Sequence, residues 1–440
     1  MLSFIKQKLP TPLKKTLISI KEKTYDNWQK RLLYKRMRLK HAKLLETLKG
    51  KKKIKVVFLA IHKSIWKVDT VFKRMQSDPL FEPVILVCPY MVFGKERMRQ
   101  DLKDTYEYFE EKGYPVISSY STVEERWITL EELEPDIVFF TNPYKLTKSE
   151  YYERAYNNYL CCYVPYYFMA TTHTGKLSSQ LNTFMLNSMW RVYWPHQYIF
   201  DQFRKHSLTK GGNSLLTGYP ASEPLLGVEQ LREQRNQAWK SQTHKKKKLI
   251  YAPHHSIETE DFFLSTFLKY GDFIRQLSTS YKDEIQWSFK PHPILKDKLI
   301  HHPDWGLERT EEYYKYWEST SNTQLDLGGY DQLFLESDAL IHDCSSFIAE
   351  YSFTQKPVLY LHRERSDVDS FLNEFGKKIF KGHRKAISRQ DIINFISSII
   401  DERETSTEKK GLFFATYLHQ LYNDKMPSQK IVEDIKSKLN

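Results

Sequence analysis

Four short stretches place groups with acid–base or phosphate-binding chemistry where the chain must turn. Tyr251-Ala252-Pro253-His254-His255-Ser256 follows an apolar run, and Pro253 turns the chain so that two imidazoles leave from one point. In Lys290-Pro291-His292-Pro293, two prolines fix the backbone on either side of one histidine. A ring held in this way can grip a diphosphate as a cation or act as a general acid. Ser337–Tyr351 reads S-D-A-L-I-H-D-C-S-S-F-I-A-E-Y, with Ala339–Ile341 as a strand, Asp343, Ser345 and Ser346 in the turn, and a helix opening at Phe347. The free N–H groups and positive dipole end of that helix suit a phosphate. Ser345 or Ser346 can cap it, and Glu350, one turn in, can accept from ribose hydroxyls. In the earlier T-T-H-T-G-K segment, His173 is a candidate base on the acceptor side, with Lys176 close by. Plain alternatives exist for each: a capping serine, a surface turn histidine, a satisfied structural histidine. Convergence of several such turns at one edge is the stronger argument.

Other patterns carry less. Asp367-x-Asp369 resembles a metal-binding pair, but in a chain with 28% charged residues such pairs arise often. Gly175-Lys176 lacks the glycine five residues earlier that a phosphate loop requires, and H-E-x-x-H and G-x-S-x-G are absent. The residues call for no metal, and for no cofactor beyond an activated donor that is itself a substrate.

The elements that must position these groups form two series. Short β-branched runs at Ile54–Ala60, Val84–Cys88, Val116–Ser118, Asp136–Phe140 and Leu160–Val164 alternate with helical stretches at Asp69–Met75, Lys95–Lys112 and Thr122–Leu133. After the charged segment Glu229–Lys248, strands are predicted at Leu249–Ala252, Ile285–Lys290, Ala339–His342 and Val358–Leu361. The helices predicted there are Glu260–Ser278, Asp331–Glu336, Ser346–Phe353 and Gln390–Asp401. Strand–helix alternation of this kind builds parallel sheets covered on both faces. The fold class is α/β: two Rossmann-like halves facing a cleft, with no internal repeat of fixed period. Histidines 254, 255 and 292 and the Asp343–Ser346 turn then leave carboxyl ends of strands in one sheet, where open α/β sheets bind ligands.

Composition limits the partners. The net charge of +13 is concentrated in residues 1–55, which hold 18 Lys and Arg against three acids; the other 385 residues carry about −2. The basic character is therefore an arm on a near-neutral body, which argues against a nucleic-acid-binding fold. Residues 1–50 read as helical, broken at Pro10 and Pro12, with Leu2, Ile5, Leu9, Leu17, Ile18, Ile20, Trp28, Leu32 and Leu33 among lysines and arginines. Such an arm suits an anionic membrane surface. No apolar run reaches transmembrane length. Cys88, Cys161, Cys162 and Cys344 form no C-x-x-C pair and read as reduced thiols of a cytosolic protein.

The ordered set Y-A-P-H-H, K-P-H-P, S-D-A-L-I-H-D-C-S-S-F-I-A-E-Y and K-P-V-L-Y-L resembles the CDP-glycerol glycerophosphotransferase family, teichoic-acid and capsule polymer enzymes of the GT-B fold. Thr217-Gly218-Tyr219-Pro220 resembles the family's G-Y-P segment. The resemblance covers about residues 215–375 well and the first half loosely. It implies that His292 holds the donor's phosphates, with Asp343, Ser345 and Ser346 lining the pocket and Glu350 near the ribose; Lys290, two residues before His292, is a further donor-binding candidate. It also implies a peripheral enzyme at the cytoplasmic face of a bacterial membrane, with a lipid-linked or polysaccharide acceptor. Two motifs depart from the family pattern: Tyr163–Phe168 stands where a W-H-G-T-P-like motif supplies a base, and A-P-H-H replaces a T-P-T-like turn.

The expectation is a GT-B-like transferase using a nucleotide-linked, CDP-type donor, with His292, His254, His255 and His173 as catalytic candidates. The expected domains are residues 1–52 (amphipathic basic helix), 53–235 (acceptor), 245–425 (nucleotide donor) and 426–440 (terminal helix). The alternatives are a glycosyltransferase using a UDP- or CMP-sugar, and a non-catalytic scaffold that binds glycan or lipid.

Overall fold

Seven parallel strands organise the first half of the chain. In sequence order they are β1 (Ile54–Ala60), β2 (Phe81–Val87), β3 (Val116–Ser118), then, after a small hairpin of β4 (Tyr120–Ser121) and β5 (Arg126–Trp127), β6 (Ile137–Phe140), β7 (Leu160–Tyr163), β8 (Arg191–Trp194) and β9 (Ser214–Leu216). The computed structural model describes residues 11–92, 94–172, 177–226, 238–258, 264–363, 368–403, 419–422 and 425–439. The large sheet runs β3-β2-β1-β6-β7-β8-β9, every pairing parallel. β6 and β7 are buried at every residue, as expected for strands covered by helices on both faces.

A second sheet contains β10 (Lys247–Ala252), β11 (Ile285–Phe289), β12 (Thr323–Leu325), β13 (Ala339–His342), β14 (Val358–Leu361) and β15 (Arg384–Ala386), in the order β12-β11-β10-β13-β14-β15, all parallel. Both sheets reverse their winding beside their first strand, between β1 and β6 and between β10 and β13. Doubly wound sheets open a crevice at the carboxyl ends of such a pair. The second core is dense with aromatics: Phe289 stacks on Trp317 at 5.2 Å between centroids, flanked by Tyr313 and Tyr314. Each fully buried ring of this kind contributes about 1.5–3 kcal/mol through burial.

The chain divides into two compact units, Met1–Tyr166 with Leu177–Thr217 and Ser428–Asn440, and Tyr167–Lys176 with Gly218–Pro427. This changes the boundaries expected from the sequence. The chain changes unit at Thr217–Gly218, ahead of the charged segment expected to separate the domains. Beyond that segment, Trp239 is buried and its indole donates to the Leu333 carbonyl at 3.4 Å, so this stretch packs on the second sheet's unit. The stretch from Tyr167 also belongs to the second unit: Thr171 pairs with Leu372, and Ala170 lies so close to Gly376 that any side chain there would strike its carbonyl.

The N-terminal helix runs unbroken over Thr11–Leu48. Pro12 does not interrupt it, because a first-turn proline lacks only an N–H that has no helical partner. From residue 25 onward its apolar side chains point in several directions: Met37 and Leu48 are buried, whereas Trp28, Leu32 and Leu39 are exposed. Some of its charge ties it to the body, through Arg36 to Asn157 at 2.9 Å and Lys40 to Asn158 at 2.7 Å. The helix expected over Thr122–Leu133 is the β4–β5 hairpin followed by a single turn, Leu130–Leu133. A capping box between Thr129 and Glu132 delays its start.

The C-terminal helix Pro427–Leu439 packs Ile431, Val432, Ile435 and Leu439 into the first core. Asp434 accepts from both ends of the Arg191 guanidinium and from the Tyr193 hydroxyl at 3.0 Å, with the ion pair about nine-tenths buried. Removing one partner of a buried pair leaves the other charge uncompensated, so Asp434→Ala should cost about 3–5 kcal/mol. Urea unfolding followed by tryptophan fluorescence measures this; a loss below about 1 kcal/mol would mean that water screens the pair.

Candidate functional site

The carboxyl edge of the second sheet is built around one buried carboxylate. Asp343, directly after β13, is wholly buried. Its Oδ1 accepts the His254 amide at 2.5 Å, and its Oδ2 accepts the Thr266 amide at 2.6 Å and hydroxyl at 2.8 Å. It thus joins the end of β13 to the turn after β10 and to the start of the helix Phe267–Ser280. Burial raises its carboxyl to about 6, against these three bonds, which favour the anion. The expected place for Asp343 was in the pocket lining; its oxygens instead face protein donors beneath the surface.

Two backbone bonds dock the K-P-H-P turn against the A-P-H-H turn: Lys290 N–H to the Tyr251 carbonyl at 2.8 Å, and His292 N–H to the Pro253 carbonyl at 3.0 Å. The three imidazoles therefore gather. Ring centroids lie 4.3 Å apart for His254–His255, 4.3 Å for His255–His292 and 5.2 Å for His254–His292. One ring nitrogen from each lies within 4.8 Å of the others.

The hydrogen bonds assign the protons. Nδ1 of His254 accepts the Ser256 amide at 3.3 Å, and Nδ1 of His292 accepts the Ile294 amide at 3.3 Å. A neutral ring whose Nδ1 accepts carries its proton on Nε2. Both imidazoles are neutral: burial, then the charge of His255 and of nearby cations, lowers His254 well below the usual histidine range and His292 to about 3. A metal bound through Nε2 would push the Nδ1 proton against a backbone N–H. The cluster thus suits an anion's oxygens better than a cation. The expected cationic hold by His292 becomes, in the free protein, a neutral N–H donor.

The remaining candidates divide. Ser345 and Ser346 are half-buried at the same edge, and their hydroxyls make no hydrogen bond among the described residues. Ser346 does not cap the helix as expected; its backbone is already helical, and the helix is one turn, Phe347–Glu350, continued by a 3-10 turn over Tyr351–Thr354. Lys290 was expected at the donor. Its ammonium turns instead to the Gly328 carbonyl at 2.6 Å, with the Asp326 carboxylate 3.7 Å away. Glu350, expected near a ribose, is buried and accepts from the Tyr330 hydroxyl. His173, Lys176 and Asp367 lie outside the described residues, as does the side chain of Asp369.

Two cations join the edge without having been singled out. Lys298, on the helix Leu295–His301, is close enough to lower both His254 and His292. Arg363 follows β14 and feels the Asp343 carboxylate, its guanidinium donating to the Ser265 carbonyl at 3.3 Å. Arg363 was findable, two residues past a strand already recognised. Lys298, six residues beyond His292 within a helix, carried no local signal.

The match of known sequences to this chain covers residues 189–437 and is to the CDP-glycerol:poly(glycerophosphate) glycerophosphotransferase family. The chain belongs to that family. The matched segment runs from β8 into the terminal helix and contains His254, His255, His292, Lys298, Asp343, Ser345, Ser346 and Arg363, while His173 and Lys176 precede it. Glycerophosphotransferase-type transfer is thus its class of activity, and a nucleotide-linked donor its class of substrate. No curated protein matches the sequence. Among solved structures it is similar to the wall teichoic acid polymerase TagF, at 15% identity and TM-score 0.53, over 98% of this chain and 100% of that one. It is also similar to the S. aureus MnaA–UDP co-structure, at 18% identity and TM-score 0.52, over 88% of this chain and 97% of that one. A UDP-GlcNAc 2-epimerase from Methanocaldococcus jannaschii follows, at 11% identity and TM-score 0.52, over 87% and 99%. At these identities the likeness is one of fold, GT-B-like with two Rossmann-like domains.

The neutral histidines set a pH dependence. In the unfolded glycerophosphotransferase they protonate near pH 6.5, whereas folded His292 resists to about 3. The unfolded state therefore binds more protons between these values, and folding stability falls as pH drops from about 6.5 toward 3. Urea midpoints measured across that range should decline, and His292→Gln should flatten the slope. An unchanged slope in the variant would place its titration elsewhere.

Proposed function

We propose that this glycerophosphotransferase moves glycerol phosphate, or a related polyol phosphate, from a CDP-linked donor to a teichoic-acid-like or capsular acceptor at the inner face of a bacterial membrane. The observation that carries this reading is the convergence of His254, His255 and His292 at the switch point of the second sheet, inside the segment that defines the family.

The chemistry follows from the donor. An acceptor hydroxyl attacks the phosphorus that bears glycerol; a new O–P bond forms, the diphosphate P–O bond breaks, and CMP leaves. Negative charge grows on the bridging oxygen as that bond opens. The Nε2–H groups of His254 and His292, with the Ser345 and Ser346 hydroxyls, supply donors for the phosphoryl oxygens, and Lys298 and Arg363 supply positive charge nearby. Donors already aimed at such an oxygen stabilise the transition state without reorganising, and loss of one typically costs about 10²–10³ in kcat. The acceptor's proton goes to a base, for which His173 is the candidate.

The basic helix supports the membrane reading. Its first turns carry Lys14, Lys15, Lys21 and Lys23, and each cation near an anionic leaflet adds about 1 kcal/mol. Among the described residues no helix is long and apolar enough to cross a membrane. Replacing these four lysines by glutamate should abolish co-sedimentation with phosphatidylglycerol vesicles while leaving thermal stability intact; retained binding would remove the helix from this role.

For the donor, His292→Ala should lower kcat by about 10²–10³ and weaken CDP-glycerol binding in calorimetry. Full turnover in this variant would remove His292 from the reaction. Tight binding of a UDP- or CMP-sugar in place of CDP-glycerol would favour a sugar transferase on the same fold, and no binding of any such nucleotide would favour a scaffold.

A further inference from the structure

The first sheet carries at its own switch point a turn that donor chemistry does not use. β1 ends at Ala60, followed by Ile61-His62-Lys63-Ser64-Ile65; β10 ends at Ala252, followed by Pro253-His254-His255-Ser256-Ile257. The shared pattern A-x-H-x-S-I stands at the equivalent strand of each sheet, the one flanked by its second and fourth parallel neighbours. The hydrogen bonding is shared too. The serine amide donates to the histidine Nδ1, at 3.1 Å for Ser64 and 3.3 Å for Ser256, and the serine hydroxyl lies 2.7 and 2.9 Å from the same nitrogen. His62 is therefore set, like His254, with its proton on Nε2. Burial lowers its basicity first, with Lys63 and Arg97 adding to the effect and Asp101 and Asp104 opposing it.

The surroundings are those of a polar chain site. Asp101, on the helix Lys95–Glu111, is paired with Arg97 at 2.8 Å, which compensates the stronger of the two acids acting on His62. Asp101 also acts on Tyr90, past the end of β2, and Tyr90 on Tyr166, past β7. Tyr166 meets Tyr144, past β6, edge to face at 6.4 Å. The Met91 amide donates to the Leu146 carbonyl at 2.9 Å, tying two of these loops together. Met91 and Tyr144 are both about half exposed.

We propose that this edge of the first unit binds the acceptor chain, with His62 Nε2–H donating to a phosphodiester oxygen and the Tyr90–Tyr144 face packing against the polyol carbons. The inference rests on the reading that the acceptor is itself a polyol-phosphate polymer. Because Nδ1 is occupied as an acceptor, the neutral ring offers no lone pair at Nε2. His62 thus positions the acceptor and does not deprotonate it.

Glycerophosphoglycerol, the smallest phosphodiester of this chemistry, is the probe. His62→Ala should weaken its binding in calorimetry about ten-fold or more, the loss expected for a hydrogen bond to a charged oxygen. It should raise the acceptor KM to a similar extent, with CDP-glycerol affinity unchanged. His62→Gln, which keeps an N–H donor, should recover most of the affinity, and His62→Leu, of similar bulk but without a donor, replaces the alanine variant if that one fails to fold and should show the same loss. Unchanged probe affinity and acceptor KM, or a parallel fall in CDP-glycerol affinity, would overturn the proposal. Loss of donor binding in His292→Ala is read separately, so the donor reading can fail while this one stands, and the reverse.

Discussion

The site depends on one carboxylate. Asp343 accepts from three donors with two oxygens and is enclosed by protein. Those bonds fix the amide of His254, and with it the turn after β10, to the end of β13. The K-P-H-P turn then rests on Pro253. Without Asp343 the turn that carries two of the three imidazoles loses its carboxylate tie to the neighbouring strand. A buried carboxylate near its titration range is costly to keep unless its donors are preformed. Here they are two backbone amides and a threonine hydroxyl, which lose little conformational freedom in making the contact.

The imidazoles gain specificity from being neutral. Burial, and then the neighbouring rings at 4–5 Å, disfavour charging His254 and His292. Backbone amides then decide, for His254 and His292, which nitrogen carries the proton. The outcome is a set of aimed N–H donors rather than a diffuse positive patch. Positive charge enters from the flanks, at Lys298 and Arg363, where it raises the local potential without competing for the geometry of the donors.

Much of this was legible in the sequence, and the omissions have a common physical origin. Central strands such as Ile54–Ala60, Ala339–His342 and Val358–Leu361 are buried on both faces, so their apolar runs are unbroken and their limits could be read to the residue. The strands Arg191–Trp194, Ser214–Leu216, Thr323–Leu325 and Arg384–Ala386 were not recognised. They lie toward the sheet edges, and R-K-A or T-Q-L carries no hydrophobic signal. The same limit applies to the site. Proline and histidine in a turn show that the turn matters, but whether Lys290 or Glu350 faces a ligand or the interior is decided by Gly328 and Tyr330, partners distant in sequence. The doubled A-x-H-x-S-I turn was in plain view. It escaped notice because only equivalence of β1 and β10 in the two sheets gives it meaning.

Neither compact unit is one continuous stretch of chain. The first is completed by the helix Pro427–Leu439, whose Ile431 and Ile435 enter its core and whose Asp434 answers Arg191. As the polypeptide emerges during synthesis, the strands of the first sheet exist long before that helix does. Arg191 must wait, its charge unanswered, while more than two hundred further residues are made. The order of completion is thus inverted relative to a chain whose domains follow one another: the second sheet can close while the first is still open, and a helix made after it finishes what the first strands began.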